Sequence, residues 1–167
     1  MNEEKQDYRQ YENDFQTIEI YKTYLQMADK ISDRRQSANS YFLTMNTVLV
    51  GLISYLSFGN TTQNSNPYYL LVSIAGMIIC FYWYRLIRSY KDINTGKFKV
   101  VHEIEKILPL SPFDDEWDKL GRGEDKSKYL PFTVIEMRIP WIFFVLHLFV
   151  FLKILIEIVK TYVASGM

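Results

Sequence analysis

The stretch QSANSYFLTMNTVLVGLISYLSFGNTTQNSNPYYLLVSIAGMIICFYWY, residues 36–84, contains no Asp, Glu, Lys or Arg. Arg34 and Arg35 precede it and Arg85 follows it. Charge is plentiful elsewhere in the chain, so its suppression here needs a cause. A lipid environment supplies one, because an unpaired charge at bilayer depth costs about 3 kcal/mol or more. Two apolar blocks, 41–58 and 68–84, flank the polar loop 59–67. With their flanks they approach the roughly 20 residues that cross about 30 Å of hydrocarbon. The reading is an all-α integral membrane hairpin with spans at about 41–58 and 68–88.

Composition fits that reading. The chain has 167 residues, enough for one domain. Of these, 49% are apolar, yet mean hydropathy is close to zero, so membrane helices must be joined to a water-exposed part. Lys plus Arg and Asp plus Glu number 19 each, so no global field argues for nucleic acid. The one cysteine, Cys80, lies inside the second apolar block and reads as a small apolar filler. The N-terminus is acidic with no apolar core behind it, so the first membrane helix is expected to act as its own insertion signal.

Residues 1–17 read as an acidic tail. From Ile18 no Gly or Pro occurs before Gly51. Ile18, Tyr21, Leu25 and Ala28 form one stripe, and Ile20, Tyr24, Met27 and Ile31 a second beside it. One helix is expected to run from water into the membrane. Asp29 and Asp33 repel on one face, as do Lys30 and Arg34. They and Arg35 are expected to find Arg85, Arg88 or Glu103, within the chain or across a subunit boundary. In the first block Thr44, Thr47, Gly51 and Ser54 share a face, and Asn46 is its most polar group. Small and hydroxyl residues let membrane helices pack closely, so these read as helix-packing positions.

The loop 59–67 has no Lys or Arg, whereas basic residues flank the hairpin on its other side. The positive-inside rule then places the loop outside and both flanks in the cytoplasm. Asn60-Thr61-Thr62 fits a glycosylation acceptor, a motif common by chance. Phe81–Tyr84 suit a headgroup-level belt. The second helix is expected to continue to about residue 108, loosened at Asn94-Thr95-Gly96. The hairpin with its extensions thus covers 18–108, and 109–139 is an irregular cytoplasmic connection.

The motifs MADKISDRRQSANSYFLT (27–44) and LGRG with YLPFT, Glu136 and Pro140-Trp141 resemble the RipA-type octameric membrane proteins of bacteria. The resemblance implies a small inner-membrane protein that assembles into a ring-like homo-oligomer, an octamer, with no established chemistry. The layout is similar, more loosely, to the two-helix SLATT effectors of nucleotide-signalled antiviral systems. That likeness implies a cytoplasmic signalling ligand.

The C-terminal hydrophobic helix, 140–162, is expected to be a third span, although it must carry Lys153 and Glu157. Those two can pair at i,i+4 or, with His147, line a pore or an interface. No metal, cofactor or catalytic set emerges. His102-Glu103 lacks the second histidine of a zinc helix. Asp114, Asp115, Glu116 and Asp118 lack EF-hand spacing and read as a solvated acidic loop. Gly121-Arg122-Gly123 reads as a structural turn. The function expected is therefore a non-enzymatic, homo-oligomeric inner-membrane scaffold or envelope-stress component, in contact with itself and with lipid. The alternative is an antiviral effector that permeabilises the membrane on a nucleotide signal.

Overall fold

The computed structural model describes residues 2–59, 67–124 and 127–166. Five α-helices follow in order: α1 (Asn2–Gly59), α2 (Pro67–Glu105), α3 (Pro112–Lys119), α4 (Phe132–Glu136) and α5 (Ile139–Ser165). A 3-10 turn, Gly121–Gly123, follows α3. No strand occurs among the described residues. The chain is all-α and divides into two compact units.

The first unit comprises Met1–Arg35 and Tyr90–Pro131. Here α1 buries Ala28 and half-buries Tyr21, Tyr24, Leu25 and Ile31, while Ile18, Ile20 and Met27 stay exposed. The inward stripe is thus narrower than the apolar pattern. The acidic residues 2–17 are helical, since α1 begins at Asn2. Helix α2 passes through Asn94-Thr95-Gly96 without a break and ends at Glu105, short of Pro109. Uninterrupted backbone bonding outweighs the roughly 1 kcal/mol that one interior glycine costs.

The acidic segment expected to be irregular contains α3. Pro112 opens it, where the missing N–H costs nothing. Ser111 provides no side-chain cap. The cap is Glu105, whose carboxylate is almost fully buried. Its Oε1 accepts the Phe113 N–H at 3.0 Å and the Tyr21 hydroxyl at 2.8 Å. Its Oε2 accepts the Asp114 N–H at 3.0 Å and faces His102 Nδ1 at 3.3 Å. One carboxylate therefore ties α1, α2 and α3 together and sits at the positive end of the α3 dipole. Rings of Tyr21, Phe98 and Phe113 pack edge to face beside it.

Burial opposes the charge on Glu105, but the Phe113 N–H, the Tyr21 hydroxyl, the Asp114 N–H and His102 outweigh it, holding the carboxyl below the usual range. Burial and the same contact to Glu105 push the Tyr21 phenol up. Because the folded value of Glu105 is depressed, its stabilisation is present above the unfolded pKa of about 4.3. That stabilisation fades as pH falls through the lower folded value. Glu105→Ala strands several buried donors and should cost about 3 kcal/mol. Glu105→Gln should flatten the acid limb of stability. Thermal unfolding in detergent across the acid range checks both.

The second unit comprises Gln36–Ser89 and Phe132–Met167. In it α1 turns Asn39, Phe42, Asn46, Leu49 and Ile53 inward. From α2 the inward set is Ser73, Gly76, Cys80, Trp83 and Ile87. From α5 it is Pro140, His147 and Ile154. Positions alternate by three and four, or recur every seven, which is the period of left-handed helix packing. Phe42 stacks on Trp83 at 5.9 Å, and Trp83 meets Phe143 at 6.2 Å. The loop 60–66, with its Asn60-Thr61-Thr62 motif, lies outside the described residues.

Candidate functional site

The centre of the second unit is polar. Asn46, Cys80 and His147 are 0%, 1% and 1% exposed, one from each long helix. Asn46 Nδ2 donates to the Phe42 carbonyl at 2.8 Å. That carbonyl accepts only, which fixes the amide orientation and turns Oδ1 toward the other helices. Oδ1 then accepts the Cys80 thiol at 3.2 Å and lies 3.2 Å from His147 Nε2. Facing a carbonyl oxygen, Nε2 must carry the imidazole proton. Nδ1 is left as a bare acceptor, buried and without a partner among the described residues.

The imidazole fits because of Gly76. A Cβ built there would stand 2.4–2.5 Å from three atoms of the His147 ring. The ring therefore lies directly against the α2 backbone, a position open only to glycine. Nearby, Trp83 Nε1 donates to Asn39 Oδ1 at 2.8 Å, a second polar bond between α1 and α2.

Cys, His and Asn are the residue types of a cysteine-hydrolase triad, but their geometry here is different. Thiol and imidazole both donate to the same amide oxygen, so the imidazole is not placed to take the thiol proton. The nearest recess, lined by Cys80, Phe81, Tyr84, Pro140, Trp141 and Phe144, holds about 100 Å³. Ligand pockets of this kind start near 300 Å³. Among the described residues no three His, Cys, Asp or Glu side chains converge as metal ligands. The cluster is chemically a three-helix fastening.

The other expected positions behave differently. Thr44, Thr47 and Ser54 are exposed, and each hydroxyl bonds back to its own helix, at the carbonyls of Ser40, Leu43 and Val50. A Cβ at Gly51 would meet open space. Within the protomer only Asn46 of that group joins helices. Asp29, Asp33 and Arg34 are exposed in the first unit, and Arg85 and Arg88 in the second, each without an ion pair to the described residues of its own unit. Arg35 is half-buried and engaged. Glu103, offered as a partner, is taken by Lys106 at 2.8 Å.

Gly121, Arg122 and Gly123 have φ of 71°, 52° and 76°, three left-handed residues in succession. The Arg122 guanidinium closes the turn on Asp118 and, at 3.2 Å, on Asp114. Two members of the acidic run are thus bonded rather than merely solvated. Lys153 and Glu157 are exposed on α5, and the i,i+4 pair open to them is not made. Sequence reasoning missed Gly76 and the donor role of Cys80. Their seven-residue register with Ser73, Trp83 and Ile87 is the signal that could have found them.

Gly76→Ala should drive the imidazole off α2 and destabilise the bundle by about 1–3 kcal/mol, the cost of overpacking. It should also expose Cys80 to a thiol reagent that leaves the unaltered fold untouched. Thermal unfolding and maleimide labelling in detergent check the two effects.

Among the described residues two helices, Tyr68–Glu105 and Phe132–Ser165, are long and apolar enough to cross a membrane. No curated protein and no solved structure matches the chain. The profile of the octameric membrane protein family (8xMP) matches residues 18–156, which takes in the Asn46–Cys80–His147 cluster and the Glu105 cap. The chain belongs to the octameric membrane protein family.

Proposed function

We propose that this chain is a multi-pass protein of the bacterial cytoplasmic membrane that acts as a non-catalytic, octameric scaffold. The second unit sits in the bilayer, and the first unit stands in the cytoplasm with the N-terminus. The observation that carries the reading is the inverted polarity of the second unit. Its inward groups include Asn46, Ser73, Cys80 and His147, whereas Leu71, Ile78, Phe81, Val145, Phe149 and Ile156 face outward. Only 28% of the apolar window of α2 and 11% of that of α5 is buried. The core helix of a water-soluble domain would be mostly buried, and outward apolar faces of this extent suit lipid or a second copy.

The basic flanks Arg34, Arg35, Arg85 and Arg88 support a cytoplasmic position for that end of the hairpin. The Asn46 bonds across three helices and the Glu105 cap of α3 give each unit a fixed frame, which suits an assembly better than a catalyst. Envelope stress is one setting in which such a scaffold would serve.

Three results are expected. The detergent-extracted particle has the mass of an octamer by light scattering. A membrane-impermeant reagent labels a cysteine placed at Asn64 from outside the cell and one at Ser89 only after lysis. Reconstituted protein leaves vesicle conductance unchanged. A monomeric particle would remove the scaffold, and steady conductance would replace it with a pore.

A further inference from the structure

Helix α5 has two unlike faces. One packs inward through Pro140, His147 and Ile154. A second exposes Ile142, Leu146, Phe149, Lys153 and Glu157. Tyr84 of the aromatic belt touches Trp141 at 5.5 Å, which marks where α5 enters the hydrocarbon. Lys153 lies about 18 Å of helix beyond Trp141, and Glu157 about 24 Å beyond it. Both fall within the roughly 30 Å apolar slab.

Two exposed charges at that depth require neutralisation. They do not neutralise each other. Lysine four residues before glutamate is the weaker order for a helical pair, and no ion pair joins them. The face carries one positive and one negative group, so it is complementary to a copy of itself. Copies related by rotation about the membrane normal present both groups at the same depths. Neighbouring parallel helices lie about 8–10 Å apart. The four-residue offset adds only about 6 Å along the axis, which an extended lysine and glutamate span together.

We propose that a second copy of this chain occupies the face, with Lys153 of one protomer paired to Glu157 of the next. Each protomer gives one pair and receives one, a head-to-tail contact of the kind that closes rings. The α5 helices then form the inner ring of the assembly. This rests on the membrane placement proposed above.

The test mixes charges between copies. Lys153→Glu leaves a chain with two acids on the face, and Glu157→Lys a chain with two bases. Each alone should fall apart into smaller particles. Co-expressed with different tags, they should recover the octamer with both tags in it, which neither an internal pair nor a lipid contact would achieve. Octamers from each variant alone would overturn the proposal. If the reversed chains do not accumulate, Lys153→Cys and Glu157→Cys chains are co-expressed and treated with a short membrane-permeant bis-maleimide. A covalent link between the two tags is expected. Intact octamers without that link, or with Lys153→Cys open to an impermeant thiol reagent, would overturn it by assigning the face to lipid or to a water-filled lumen. In those cases the scaffold reading survives, whereas a monomeric unaltered chain would remove the scaffold itself.

Discussion

A single amide oxygen holds the second unit together. In lipid, apolar helices gain nothing by hiding from their surroundings, so hydrophobicity alone does not choose how three of them meet. Asn46 Oδ1 makes that choice by accepting one hydrogen bond from α2, through the Cys80 thiol, and another from α5, through His147 Nε2. A shift of α2 or α5 by one turn would leave a buried donor facing hydrocarbon. Each interhelical bond of this kind is worth only about 0.6 kcal/mol on average. Their combined effect lies in register, because the wrong alignments lose several bonds at once.

The first unit solves a different problem by related means. There a carboxylate replaces the amide, and its partners include two backbone N–H groups of a short helix. An eight-residue helix is too short to be stable by itself in water. Glu105 secures α3 by neutralising its orphan donors from another element, and the Gly121–Gly123 turn with Arg122 secures the far end. Both nodes consist of one acceptor shared among helices distant in sequence. Both lie inside their units, whereas the outward faces are the surfaces open to assembly.

The helical class, the apolar blocks and the long helices α1 and α2 are legible in the sequence, because charge exclusion and Gly or Pro placement act locally. The Asn46 cluster is only half legible. A lone asparagine among apolar residues announces an interhelical bond, but its partners lie 34 and 101 residues away. Cys80 looks like filler because a thiol donates too weakly to stand out by type. Gly76 looks like an ordinary membrane glycine until the imidazole stacks on it. Helix α3 is hidden for the same reason: its cap comes from Glu105, on another helix, where local rules look to Ser111. Thr44, Thr47, Gly51 and Ser54 share a small-residue face that turns away from their own protomer.

Electron cryo-microscopy of the assembly in lipid nanodiscs would decide whether three helices of each protomer cross the bilayer around Asn46. Three rods per protomer should pass through the lipid slab, with the Asn46, Cys80 and His147 side chains meeting between them. Density showing α5 flat against the membrane surface, or His147 directed into lipid, would contradict this arrangement.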